Sequence, residues 1–222
     1  MDIKNFYIEK GNGFPLILLH GNNEDSNYFK SQIEEFSKYY KVFAIDTRGH
    51  GKTPRGNKPF TINQFAQDLS EFMNEHNIEK AHILGFSDGG NIAIIFSLIH
   101  PERTEKLILN GANLSPKGLT NFIRISDIIE YLKTLLFAKN KLKKEMLELM
   151  IFQPNIPPEE LSKIKSKTLV IAGTNDMIKK EHTELIADKI PDSNLIFMEG
   201  DHFIVYNKPN EFNEKVKEFL NP

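Results

Sequence analysis

The sequence predicts an α/β fold: a mostly parallel twisted sheet with helices on both faces and a short helical lid inserted between two strands. Three observations predict it. Short apolar runs alternate with helix-length amphipathic stretches, the pattern of βαβ units. One segment, residues 113–165, breaks that alternation with no strand candidate of its own. The chain, 222 residues with 40% apolar and 26% charged side chains, is long and apolar enough to bury roughly 70% of its unfolded surface around a core.

Taken in order, residues 6–10 are expected to form an antiparallel edge strand through the turn Gly11-Asn12-Gly13. Apolar runs at 14–19, 41–45, 81–84, 106–109, 167–172 and 194–198 read as strands buried on both faces, each closed by a polar or glycine-bearing turn. Helices are expected at 26–39, 61–76, 88–100 (stopped by Pro101), 180–190 and 209–220. Within 113–165, two amphipathic stretches precede a break at Pro154, Pro157 and Pro158; Phe122, Ile125, Ile129, Leu132 and Leu136 recur at three- and four-residue steps as one apolar stripe. The organisation expected is therefore a core of residues 1–112 and 166–222 with a lid at 113–165, the stripe facing a pocket.

Composition excludes several functions. Net charge is −2, and the densest basic stretch, Lys139 to Lys144, alternates with Leu142 and runs into Glu145, the pattern of a solvated helix face; nucleic acid is not an expected partner. The absence of cysteine removes disulfides, thiolate metal sites and a cysteine nucleophile. The N-terminus lacks the charged and apolar blocks of a secretion signal, and apolar runs such as 92–99 fall short of a membrane span, so a cytoplasmic protein without a membrane partner is expected.

The chemistry centres on Gly85-Phe86-Ser87-Asp88-Gly89-Gly90, a G-x-S-x-G between a predicted strand and a predicted helix. Chance supplies only about 0.04 such matches in a chain of this composition. The alternative is an ordinary glycine-rich turn. A serine hydroxyl at neutral pH is a weak nucleophile and needs a base, itself oriented by a carboxylate. His202, on the turn Glu199-Gly200-Asp201-His202-Phe203 after the last strand, can point its imidazole at the top of the sheet. His76, His82, His100 and His182 lie within helices or a strand and read as structural, while His20 and His50 occupy glycine-flanked turns. No pair has metal-ligand spacing, so neither a metal nor another cofactor is expected. For the carboxylate, Asp176 follows a strand and shares the sheet edge of Ser87 and His202; Asp201 is adjacent to His202 and its side chain diverges, and Asp188 and Asp192 belong to the opposite edge.

With Leu18-Leu19-His20-Gly21-Asn22, Asp46-Thr47-Arg48-Gly49-His50-Gly51, the Ser87 elbow and Gly200-Asp201-His202, the chain resembles over nearly its whole length the α/β-hydrolases of the lid-bearing esterase, haloperoxidase and dehalogenase-like group. The resemblance implies an oxyanion hole made by the backbone N–H groups of Asn22 and Asp88. Haloalkane dehalogenases share an H-G-N sequence but attack with a carboxylate, whereas this chain has Ser87, which favours ester chemistry. S-D-G-G is similar to the elbow of biphenyl-hydrolase-like proteins that cleave amino-acid esters. Asp88 thus reads either as a carboxylate favoured by the helix dipole or as a group that neutralises a cation on the substrate.

The expected function is cofactor-free serine hydrolysis of a small-molecule ester through an acyl-enzyme, with Ser87, Asp176 and His202 catalytic and Asp88, Phe122, Ile125 and Ile129 in contact with substrate. The alternatives are carbon–carbon bond hydrolysis or perhydrolysis on the same triad, or a non-catalytic small-ligand receptor. The oligomeric state is left open.

Overall fold

A computed structural model describes residues 2–137 and 140–221. Each apolar run becomes a strand: β1 (Tyr7–Lys10), β2 (Pro15–Leu19), β3 (Lys41–Ile45), β4 (Ala81–Phe86), β5 (Thr104–Asn110), β6 (Lys167–Gly173) and β7 (Ser193–Met198). They form one sheet in the order β1-β3-β2-β4-β5-β6-β7, parallel throughout except for β1 against β3. Between and after them lie α1 (Lys30–Phe36), α2 (Ile62–Glu75), α3 (Asp88–Ile99), α4 (Asn121–Phe137), α5 (Lys141–Phe152), α6 (Lys180–Lys189), α7 (Ile204–Asn207) and α8 (Pro209–Leu220).

Strand alternation divides the core. Ile17, Leu19, Phe43, Ile83 and Leu107 face a layer built from α2, α3 and α6. Their neighbours Leu16, Leu18, Val42, Leu84 and Ile108 face α1 and α8. Side chains of a strand point to opposite faces in turn, so a strand apolar at every position needs helices on both sides. α3 is itself buried almost all round, from Asp88 to Ser97, because it packs between the sheet and α2.

Three expectations need correction. β1 is the antiparallel edge, but it pairs with β3 and not with β2 across the glycine turn. Gly11 and Gly13 adopt φ of 85° and 107°, and a Cβ on Gly11 would lie 2.3 Å from the Tyr40 carbonyl oxygen. Pressed against the chain that leaves α1, the connection passes β3 before entering β2, and a tight hairpin is lost. The second correction concerns β7, an edge strand rather than a doubly buried one, with Asn194 and Leu195 exposed. α1 is also shorter than the expected 26–39, because residues 26–29 form a 3-10 turn capped by Asp25 and the chain turns after Phe36 toward β3.

The strandless segment emerges between β5 and β6 as α4 and α5. Its flanks are not separate from the body: Leu114, Ile156, Leu161 and Ile164 join the α2–α3 side of the core, as does Leu149 of α5. Lys139, the first residue of the basic run, lies outside the described residues. No described helix is long and apolar enough to cross a membrane.

Arg48, fully buried, ties the turn after β3 to α2. Its Nε and Nη2 each donate to Asp68 at 2.7 Å, and Nη1 donates to the Arg55 carbonyl at 3.0 Å and to Asp2. Removing one partner strands a buried charge, which costs about 3–5 kcal/mol. Asp68→Ala is therefore expected to lower unfolding free energy by about that amount in urea titration, and the apolar pair Arg48→Met with Asp68→Leu to recover most of it. An Asp68→Ala protein with the wild-type midpoint contradicts this account.

Candidate active site

The site is built where parallel strands end. β4 runs into Ser87, whose backbone takes φ 52° and ψ −119°, a conformation L-residues rarely adopt. Two close approaches enforce it. A Cβ on Gly85 would lie 2.3 Å from the Gly89 oxygen, and one on Gly89 would lie 2.0 Å from the Leu19 oxygen at the end of β2. The first turn of α3 is thus pushed into the β2–β4 seam, and only glycine fits at both positions. Ser87 N–H donates to the Asn110 carbonyl at 2.8 Å, which anchors the elbow to the end of β5.

Asp176 follows β6 and His202 follows β7, and the two meet. His202 Nδ1 lies 2.6 Å from Asp176 Oδ1, with both side chains almost wholly buried. Asp176 is held in turn by the Ile178 N–H at 2.9 Å. The imidazole packs on Phe86 with ring centres 4.8 Å apart and against Gly111, where a Cβ would approach its Cε1 to 2.6 Å. His202 Nε2 is buried and has no partner among the described residues. Asp201, the rival carboxylate, is spent elsewhere: it accepts from Phe203 N–H at 2.9 Å and from Asn207.

The loop after β2 comes alongside. His20 is pinned with Nδ1 2.7 Å from the Gly21 carbonyl and Nε2 accepting the Thr47 N–H at 3.0 Å, and burial pushes its imidazole down to about 4, so it is neutral and structural. Asn22 donates its side-chain amide to the Met146 carbonyl of α5 at 2.8 Å, while its Oδ1 is buried without a partner. Neither the Asn22 nor the Asp88 backbone N–H meets a protein acceptor among the described residues.

Asp88 is buried at the start of α3. Its Oδ1 accepts from Asn91 at 3.1 Å, and its Oδ2 has no partner. Burial pushes the carboxyl up to about 6, against the pull of the Asn91 and Asn22 amides and of His202. Asn91 also bridges to Asn113, 3.0 Å away. A second carboxyl, Glu24, accepts the Gly21 N–H at 3.0 Å and is pushed by burial up to about 7, with Asp25 and Asp88 adding repulsion.

A cavity of about 560 Å³ opens beside Asn22 and Asn23, walled by Leu142, Met146, Leu147 and Met150. Its apolar wall is thus α5, the helix whose basic start reads as merely solvated in the sequence. α5 is strapped down by the Asn22–Met146 bond and by a two-pronged pairing of Arg55 with Glu145 at 2.8 and 3.0 Å. The stripe expected to line the pocket lies elsewhere: Phe122 is 80% exposed, and Ile125 and Ile129 are also out in solvent. Helical spacing identifies a stripe but not the direction in which it faces.

Comparison with known proteins identifies the fold family. The sequence profile of the alpha/beta hydrolase fold family matches residues 15–146. The chain belongs to the α/β-hydrolase family. Among relatives of this hydrolase, a 2-hydroxy-6-oxononadienedioate/2-hydroxy-6-oxononatrienedioate hydrolase of Comamonas testosteroni is 29% identical, with 98% of this chain and 92% of the relative covered. A thermophilic esterase from Thermogutta terrifontis shares the fold with a TM-score of 0.84 at 21% identity, covering 99% of this chain and 93% of that one. The enol-lactonase from Burkholderia xenovorans LB400 does so at 0.82 and 20%, covering 99% and 97%.

Glu24 gives the α/β-hydrolase a measurable pH signature. Its carboxyl titrates near 4.5 when exposed and about 7 when folded, so between those values the folded state holds the proton more tightly and stability falls as pH rises. Glu24→Gln keeps an oxygen for Gly21 N–H and removes the titration. Urea denaturation from about pH 4.5 to about pH 8 is expected to show a shallower decline in that variant, and identical slopes would refute the assignment.

Proposed function

We propose that this α/β-hydrolase cleaves small carboxylic esters through an acyl-enzyme intermediate. The observation that carries the reading is the buried Asp176–His202 pair at 2.6 Å, its Nε2 left free on the sheet edge that carries Ser87 in a strained elbow. In this reading His202 Nε2 takes the proton from Ser87 Oγ as the hydroxyl attacks the ester carbonyl, then returns it to the departing alcohol. Asp176 keeps the proton of the ring on Nδ1 and stabilises the imidazolium. The Asn22 and Asp88 N–H groups receive the developing oxyanion, each worth on the order of 3–4 kcal/mol in the transition state. Water then repeats the sequence on the acyl group. Residues 113–165 serve as a lid, of which α5 is the part that covers the cavity.

Asp88 sharpens the substrate class. A buried carboxylate next to an oxyanion raises the cost of the developing charge, and its Oδ2 and the Asn22 Oδ1 are two acceptors without donors. An ammonium group on the substrate satisfies both and cancels the repulsion. The same charges bear on the rival reading of carbon–carbon bond cleavage. The Comamonas relative is named for a dioate, and a doubly anionic substrate meets two carboxyls here, the buried Asp88 and the partly buried Glu24.

A panel of p-nitrophenyl esters graded by chain length, run beside amino-acid esters and a vinylogous diketone, tests the reading. Ser87→Ala is expected to abolish turnover and labelling by a fluorophosphonate, and Asp176→Asn to lower kcat by about 10⁴. Wild-type protein that neither labels nor hydrolyses any ester argues for a ligand receptor on this fold. Asp88→Asn is expected to lower kcat/KM for amino-bearing esters relative to neutral ones; an unchanged ratio removes the cation-binding role.

A further inference from the structure

α4 is amphipathic in the wrong sense for a solvent-facing helix. Its polar side is spent inward on α5: Glu130 accepts from Lys143 at 2.6 Å, the Tyr131 hydroxyl donates to Glu148 at 3.0 Å, and Thr134 is buried. Its apolar side faces out, with Phe122, Ile125, Ile129, Leu132 and Leu136 all exposed. Flanking them are Ile128, Leu135 and Phe137, the last 84% exposed. Together these side chains offer roughly 800 Å² of apolar surface, above the ~300–600 Å² of the largest patch on an ordinary monomer and about what one partner of a standard interface buries.

Spacing says what covers it. Phe122, Ile129 and Leu136 recur every seven residues, and Ile125 and Leu132 fall between them at the alternate three- and four-residue steps. That is the a/d seam of a helix that packs on another helix. The adjacent g positions are apolar, Ile128 and Leu135, while the e positions are Ser126 and Lys133. In a parallel pair each g position lies beside the partner's e position, so Ile128 would meet Lys133. In an antiparallel pair g lies beside g and e beside e, which gathers the apolar residues and leaves Lys133 at a wet margin. A membrane surface fits less well, since a helix lying on lipid presents a Lys- and Arg-rich outer polar face, and here Glu130 is turned to Lys143 of α5 and the acids Asp127 and Glu130 balance the bases Arg124 and Lys133.

We propose that the outer face of α4 is the docking surface for a second copy of this chain, the two α4 helices packing antiparallel about a two-fold axis near Ile129. The interface is isologous, so a single patch complements itself.

Sedimentation equilibrium of the full chain is expected to give twice the 25.6 kDa monomer mass. Leu132→Glu and Leu136→Glu should each return the mass to 25.6 kDa, with far-ultraviolet circular dichroism and the urea midpoint showing that the fold is kept. Because the chain contains no cysteine, Ile129→Cys and Phe122→Cys carry one thiol each. A short bis-thiol reagent should join two copies of the first and not of the second, whose thiols lie more than about 20 Å apart in the antiparallel pair. A monomer at every concentration overturns the proposal, as does a dimer that survives both glutamate substitutions. Equal cross-linking of the two cysteine variants overturns the antiparallel arrangement. A monomer that pellets with phosphatidylcholine–phosphatidylglycerol vesicles assigns the face to lipid instead.

Discussion

The contact on which the rest of the site depends is the backbone crossing between Gly89 and the end of β2. No side-chain atom fits there, since a Cβ on Gly89 would sit 2.0 Å from the Leu19 oxygen. The crossing brings α3 hard against the sheet, and the turn that joins β4 to α3 must then be so tight that Ser87 is forced to positive φ. Such a conformation costs about 1–3 kcal/mol and persists because its surroundings over-determine it. Ser87 N–H is tied to Asn110, its carbonyl accepts from Gly90 and Asn91, and α3 is buried for nearly its whole length. The same crossing lays the β2 loop, with Asn22, beside the helix N-terminus that carries Asp88. Nucleophile and neighbouring donors are therefore one backbone event.

Around that event the protein gathers negative potential. Asp88 is buried and Glu24 partly buried, neither with a cationic side chain in hydrogen-bond contact, and loss of solvent raises both above the ordinary carboxyl range. Contrast Arg48, where charges of both signs are buried together with matched hydrogen bonds. Arg48 is structural in character, a set in which each guanidinium nitrogen has a protein acceptor. The Asp88 set is open, with acceptors left over on Asp88 and Asn22. Unsatisfied buried acceptors cost stability, and the two on Asp88 and Asn22 lie where a ligand's donors can complete the set.

How much of this is legible in sequence follows from how local each signal is. The strands are legible because burial on both faces writes itself as unbroken apolar runs. Ser87, Asp176 and His202 are legible for the same reason: each lies just past such a run, and parallel strands bring their C-terminal ends to one edge. Glu24, Asn91 and Met146 give no comparable signal. Met146 meets Asn22 across a long stretch of chain, and Asn91 meets Asn113 across a shorter one, so no spacing rule reports them; Glu24 bonds only three residues back, to Gly21, and a lone carboxyl in a loop carries no pattern that marks it. β1 is misplaced by the same logic, since the Gly11-Asn12-Gly13 turn is a local cue whereas its partner strand is chosen by the packing of the α1–β3 connection. β7 shows the converse, for an apolar run can also line an edge.

The two helices between β5 and β6 divide their tasks by what each leaves unsatisfied. α5 gives its apolar residues to the cavity and to the core, and is strapped to the body through Asn22 and Arg55. α4 packs on α5, gives it polar contacts, and keeps its apolar residues outside. At roughly 25 cal/mol per Å², leaving such a face in water forgoes more free energy than the Glu130–Lys143 surface ion pair that ties α4 to α5 can return. Covering α4 would press it onto α5, and α5 is the wall of the cavity beside Asn22. The proposed association surface and the wall of the cavity beside Asn22 are thus carried by two helices of one segment packed on each other.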